Sequence, residues 1–262
     1  NSAQAGNPVL TVAGNLTGTS SVYLYTGTPN VAYVSGNGMN TDLAVGSVGG
    51  TNGLAATTVY LNTANGSIGQ TQKITATDLY SGAYSIAQGN TVDLSFAAGN
   101  SVTNLMSSNA MCSSGGGCTV GAAAGPSFRF TNATALKIAG TVDAGNGAAV
   151  IKTLTGNLTL QNVPTMGIVK SLLAGTAGNY AESIILVAGA TTDANFINSN
   201  GFTPLQASGS YARWLIYSKD VGNITLGNLA SPYTGSSNGG YAAYFGTDYH
   251  TTAFDGAVLP AV

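Results

Sequence analysis

The residues able to do acid–base or nucleophilic chemistry are few and scattered. His250 is the sole histidine, beside Asp248 and five positions before Asp255. A base oriented by a carboxylate could be assembled from this segment and one of the many serines, although a lone histidine in such a segment more often packs or is solvated. The nine acids are Asp42, Asp78, Asp93, Asp143, Glu182, Asp193, Asp220, Asp248 and Asp255, and they form no close sequence pair. Stacked coils could still bring Asp78 toward Asp93, or Asp193 toward Asp220, in the carboxylate pairing that polysaccharide hydrolases use. No H-E-x-x-H motif, phosphate-binding loop or Gly-Gly-x-Gly-x-Asp calcium repeat is present. No cofactor or metal is implied.

Cys112 and Cys118 are the only cysteines, in the run MCSSGGGC. Three glycines allow that short loop to close as a disulfide, which would fit an oxidising compartment, with free thiols as the alternative. No histidine or further cysteine is near enough in sequence to complete a metal site. Five Asn-x-Ser/Thr triplets begin at Asn15, Asn65, Asn132, Asn157 and Asn223. They are glycan acceptors only where a suitable transferase exists, and an Asn-, Ser- and Thr-rich chain produces such triplets by chance.

The elements that would position these residues are set by composition. Charged residues are 6% of the chain, against roughly 25% in an ordinary soluble protein. The surface must therefore be built from Asn, Ser, Thr and Gly, and the Glu, Lys and Arg that dress helices are nearly missing. With 44% hydrophobic residues the chain can bury a core. The seven basic residues, Lys73, Arg129, Lys137, Lys152, Lys170, Arg213 and Lys219, make no patch for phosphate neutralisation, so nucleic acid is not an expected partner. No run reaches the roughly 18 apolar residues of a membrane span, and no signal-peptide pattern opens the chain. Sparse charge with abundant polar neutral residues is the composition of secreted bacterial surface proteins more than of cytosolic enzymes.

Short apolar or alternating runs bracketed by Gly, Asn and Pro recur throughout: Val9–Val12, Val22–Tyr25, Thr57–Leu61, Thr91–Phe96, Phe128–Phe130, Val150–Leu154 and Leu158–Leu160. In Thr91–Phe96 the residues Val92, Leu94 and Phe96 alternate with polar ones, the period of a half-buried strand. Several gaps between Gly-Asn dipeptides are near 11, 22 or 44, as from 145 to 156, from 14 to 36 and from 178 to 222; a period near 22 is the length of one coil of a parallel β-solenoid. The expectation is an all-β chain in three parts: a β-rich region at 1–130, β-helical coils at 131–230, and a Tyr-rich cap or tail at 231–262. The first part is open to a sandwich-like insertion, and an antiparallel β-sandwich is the alternative for the whole.

The stretch Ala181–Leu229 holds the only Trp and the only Glu. Its sequence SIILVAGATTDANFINSNGF, followed by LQASGSYARWLIYSKD, resembles filamentous-haemagglutinin-like exoproteins of bacterial two-partner secretion. The matching positions include Ile184, Leu186, Gly189, Phe196, Asn198, Gly201, Leu205, Arg213, Trp214, Leu215, Tyr217 and Ser218. The resemblance departs at Lys219-Asp220-Val221, which lacks the family's proline, and it does not reach the first 130 residues. It implies a right-handed parallel β-helix, a surface adhesin or related fibre, and an outer-membrane secretion partner. Phe196, Asn198, Gly201, Arg213, Trp214 and Tyr217 would belong to the last coils, near the cap.

Three function classes follow. The first is a non-enzymatic, secreted, cell-surface structural or adhesive protein that contacts a host or neighbouring-cell surface through glycan or protein. The second is a self-assembling extracellular filament subunit, joined by strand addition or end-to-end stacking. The third is a carbohydrate-active β-helix enzyme.

Overall fold

The computed structural model describes residues 9–13, 16–18, 20–26, 42–46, 53–63, 68–83, 91–106, 127–162, 167–176, 181–200, 204–218, 224–227, 229 and 242–245. Among these there is no helix, and so no helix long and apolar enough to cross a membrane. The strands are β1 (Val9–Ala13), β2 (Leu16–Thr17), β3 (Ser21–Thr26), β4 (Asp42–Gly46), β5 (Leu54–Thr63), β6 (Ile68–Gln70) and β7 (Ile74–Ala83). They continue as β8 (Val92–Leu94), β9 (Ser101–Met106), β10 (Phe128–Asn132), β11 (Leu136–Ile138), β12 (Thr141–Asp143), β13 (Ala149–Thr153) and β14 (Leu158–Leu160). The last are β15 (Ile168–Ser171), β16 (Ala181–Ala188), β17 (Phe196–Asn198), β18 (Leu205–Ala207), β19 (Ala212–Ser218), β20 (Ile224–Thr225) and β21 (Ala242–Phe245).

These strands form three sheets. Sheet A has the order β1-β4-β6-β8-β10-β13-β16-β19-β21. Sheet B has the order β2-β5-β7-β9-β11-β14-β17-β20, with β3 also on β5, and sheet C is β12-β15-β18. Every strand pairing among the described residues is parallel. The chain leaves a strand of sheet A, enters sheet B, passes through sheet C from β12 onward, and returns to sheet A one place further along.

Among the described residues the antiparallel sandwich is therefore not what forms, in the first half or the second. Hairpins would pair consecutive strands, whereas here the Gly- and Asn-bearing corners turn the chain sideways into the next sheet. Gly156, between β13 and β14, shows why glycine is used: its φ is +78°, and a Cβ would lie 2.7 Å from the backbone nitrogen of Ala135.

The core is built from columns of residues in register. One column on sheet B runs Val22, Val59, Leu79, Leu105, Ile138, Leu160. On sheet A a column runs Ile68, Val92, Phe128, Ala149, Ile184, Trp214, in which the small Ala149 follows the bulky Phe128. A second runs Leu94, Phe130, Ile151, Leu186, Ile216. All of these side chains are buried in one cluster. Interdigitated aliphatic columns of this kind supply most of the stabilisation, about 1.5–3 kcal/mol per large side chain buried.

Sheet A differs along its length. Near β10 its outer face carries the exposed Arg129, but over β13, β16 and β19 that face holds a second buried cluster of Val150, Ile185, Val187, Leu215 and Tyr217. Strands buried on both faces read as unbroken apolar runs rather than alternations. This is why Ile184–Val187 and Trp214–Tyr217 stand out in the sequence. The stretch does not end sheet A: β21 pairs onto β19 beyond it.

Candidate functional site: the corner column and the outer face of sheet B

Two polar features stand out on this scaffold, one buried and one exposed. The buried one lies where sheet A turns into sheet B. Asn100 bridges Asn132, and Asn132 is in register with Thr153; none of the three is accessible to solvent, each being 0% exposed. Asn132 Oδ1 accepts from Val102 N at 2.9 Å, while its Nδ2 donates to Val102 O at 2.9 Å. The side-chain amide thus pairs with Val102 as the peptide group of a neighbouring strand would. Nδ2 also donates to the carbonyls of Thr134 and Ala135, both at 3.1 Å.

Asn100 acts in the same way on the preceding circuit. Its Oδ1 accepts from Ile74 N at 2.9 Å, and its Nδ2 donates to Leu94 O and Thr131 O at 3.0 Å. Thr153 Oγ1 donates to Gly156 O at 2.8 Å and accepts from Gly189 N at 2.9 Å. Asn100 also ties amide to amide across circuits: Gln70 Nε2 donates to Asn100 Oδ1, and Asn100 Nδ2 donates to Gln70 Oε1 at 3.3 Å. Both Asn100 and Asn132 reach the backbone of adjacent circuits as well, closing ladder bonds that the short strands leave open.

The exposed feature is the outer face of sheet B over β3, β5, β7 and β9. In the last three strands two successive residues point outward, Thr57-Thr58, Thr77-Asp78 and Thr103-Asn104, in register except at the first member of each pair. The pairing is interrupted at the same place on all three strands while the register is kept, so the outward step is stacked from strand to strand. Asp78 Oδ1 accepts from Asn104 Nδ2 at 2.7 Å, and Thr57, Thr75, Thr77 and Thr103 are exposed around them. Beside this row stand Tyr23, Tyr60 and Tyr80, each in register with the next. The first two rings are 4.3 Å apart between centroids and 4° from parallel, and the second two are 4.5 Å apart and 14° from parallel.

The phenols of Tyr60 and Tyr80 are pushed above their ordinary value, in both cases chiefly by burial. Tyr60 is raised further by its hydrogen bond and charge interaction with Tyr23, and Tyr80 by the negative charge of Asp78. The face offers hydroxyl donors and acceptors, one carboxylate and one amide, repeated at the strand spacing of about 4.8 Å. Nothing in the reading of single residues pointed to this ladder. Its signal was the recurrence of Tyr after an inward aliphatic: Val22-Tyr23, Val59-Tyr60, Leu79-Tyr80.

The residues singled out from sequence fall as follows. Phe196 is buried in the core cluster and Asn198 ends β17, its Nδ2 donating to Leu226 O at 2.8 Å. Trp214 points into the core at 2% exposure, and Tyr217 belongs to the outer cluster of sheet A. Arg213 Nη2 pairs with Glu182 Oε1 at 2.8 Å across β16 and β19. Asn157 Oδ1 accepts from Asn195 N at 2.9 Å. The nitrogen of Asn132 that a transferase would modify is enclosed and committed to three carbonyls, so a glycan there would require the corner to open first.

Asp78 stands in sheet B and Asp93 in sheet A, where Asp93 Oδ1 accepts from Ser95 N at 3.1 Å; the two are not brought together on one sheet. Among the described residues no three His, Cys, Asp or Glu side chains gather as metal ligands would. Cys112, Cys118, Asn15, Asn65, Asn223, Gly201, Asp220, Asp248, His250 and Asp255 lie outside the described residues. Comparison of this chain with protein-family models, with curated proteins and with solved structures finds no match.

Proposed function

We propose that the chain is a stretch of a right-handed parallel β-helix and serves as a non-enzymatic, secreted structural or adhesive protein of a bacterial surface. The observation that carries this reading is the path of the chain: sheet A to sheet B, later by way of sheet C, and back to sheet A, with parallel pairing throughout. A solenoid is the simplest route that satisfies it. Right-handedness follows from the strong bias of parallel crossover connections. Nine strands in sheet A, at about 4.8 Å each, make a stack about 38 Å long. The likeness of Ala181–Leu229 to two-partner exoproteins points to export and to surface attachment.

In this reading the attachment surface is the outer face of sheet B. Its repeated hydroxyls, the Asp78–Asn104 pair and the edges of three phenols suit a hydroxyl-rich partner such as a cell-surface glycan. The test is binding of the immobilised chain to glycan arrays and to whole cells. Wild type should bind, and the paired change Thr77→Lys with Asp78→Ala, which leaves the core columns intact, should lower binding about tenfold. Equal binding by both proteins, or none by wild type, would remove the adhesive reading. The filament alternative draws on β3, a six-residue strand whose only partner among the described strands is β5. Concentration-dependent polymers in sedimentation would favour it.

A further inference from the structure

The tyrosine ladder has a chemical property distinct from binding. Tyr23 and Tyr60 lie face to face, with ring centroids 4.3 Å apart and planes within 4°. Two phenoxyl radicals couple through the π lobes at their ortho carbons, and those lobes point along the ring normals. A parallel face-to-face pair therefore already presents the reacting orbitals to one another, and holding them so replaces a bimolecular encounter by an intramolecular one.

We infer that Tyr23 and Tyr60 form an oxidative cross-linking site, yielding a dityrosine bridge between β3 and β5 when a peroxidase oxidises the two phenols with hydrogen peroxide as the terminal oxidant. Each phenol loses one electron and its hydroxyl proton, and one hydrogen peroxide takes up the two electrons and two protons to give two waters. An ortho carbon of Tyr23 bonds to an ortho carbon of Tyr60. The hydrogens on those carbons move to the oxygens, restoring two phenols, so the chain loses two hydrogen atoms in all.

Two pairs compete for this reaction, and the structure favours one. Joined rings must twist out of the stack, so one partner needs room to move. Tyr23 has it: the side chain is 60% exposed and lies on a strand that has only β5 as a partner among the described strands. Tyr60 and Tyr80 sit on β5 and β7, whose register runs from Leu54↔Ile74 to Thr63↔Ala83, and β7 is held in turn by β9. Their rings are also 14° from parallel. The bridge would staple residues 37 positions apart in the chain, which restricts the unfolded state much as a disulfide does.

The experiment exposes the purified chain at low concentration to a peroxidase and hydrogen peroxide, reads dityrosine fluorescence, and maps the linked peptides by mass spectrometry. Expected are a Tyr23–Tyr60 linkage in monomer and a yield independent of protein concentration. Tyr23→Phe and Tyr60→Phe keep the stacked rings, and each should cut the yield of linked monomer about tenfold. Tyr80→Phe should leave it unchanged. The same treatment in denaturant should lose the preference for this pair. Linkage found mainly at other tyrosines, or only between chains with a yield that rises with concentration, would overturn the assignment. So would equal yields from wild type and both ladder variants.

Discussion

Asn132→Ala asks how much of the fold depends on one side-chain amide at the corner. The substitution removes the acceptor of the Val102 N–H and a donor shared by the carbonyls of Val102, Thr134 and Ala135. Asn132 is 0% exposed, so water does not replace these partners without opening the corner. A buried group left unpaired costs about 1–3 kcal/mol. The N–H bears that in full, and the carbonyls bear less because each keeps a second lone pair. The sum is a loss of about 3–5 kcal/mol, a large fraction of the roughly 5–15 kcal/mol that holds a domain together.

Urea titration followed by far-ultraviolet circular dichroism measures this loss. Fluorescence of Trp214, buried three strands further along sheet A, reports separately on the distant part of the stack. A fall of the dichroism midpoint with the Trp214 midpoint unmoved would show that circuits unfold in segments, as stacked arrays can. Coincident shifts would show a single cooperative unit. Asn132→Asp, which keeps the shape but loses the donors and buries a charge, should be at least as damaging near neutral pH. A loss below about 1 kcal/mol for Asn132→Ala would refute the claim that the amide stands in for a strand.

Three further outcomes are expected. Gly156→Ala forces a side chain into a φ of +78° and against the Ala135 backbone at 2.7 Å, and should cost about 2–4 kcal/mol by chemical denaturation. Gly69→Ala, with nothing within 4 Å of the new Cβ, should be neutral or stabilise by up to about 1 kcal/mol. Because the Tyr60 and Tyr80 phenols are raised above 10.0, folding favours their neutral forms. That contribution is complete below the unfolded value and is lost as pH climbs through the folded ones. Denaturation midpoints should therefore fall on the alkaline side of pH 10, and less steeply in Tyr60→Phe with Tyr80→Phe.

The sequence announced strands more clearly than their partners. In Thr91–Phe96 the alternation placed Val92 and Leu94 inward, and both are buried, but the strand stops at Leu94. The period near 22 holds only locally. Leu54 and Ile74 are 20 residues apart and Leu136 and Leu158 are 22, whereas Ala149 and Ile184 are 35. Corners absorb insertions without disturbing register, and sheet C adds a strand to later circuits, so a fixed period blurs. Asn132 shows the other limit. Its triplet reads as a surface acceptor, and only the register with Thr153 and the bridge to Asn100 reveal an interior residue. The tyrosine ladder stayed hidden because its members are 37 and 20 positions apart, so a window short enough to find a strand never contains two of them.

The pairing distances carry a kinetic consequence. The widest separations between paired residues among the described strands are 38 positions, as in Leu16 with Leu54 and Leu158 with Phe196. No strand waits for a partner from the far end of the chain. Each described strand needs only the one laid down a circuit earlier, so the loop that must close to add it is short, spanning between 20 and 38 positions. Such a chain can zip from its leading end while the rest is still extended, and each finished sheet edge is the template for the next strand. A polypeptide delivered progressively, whether from a ribosome or through a narrow pore, could then convert the order of its arrival directly into structure.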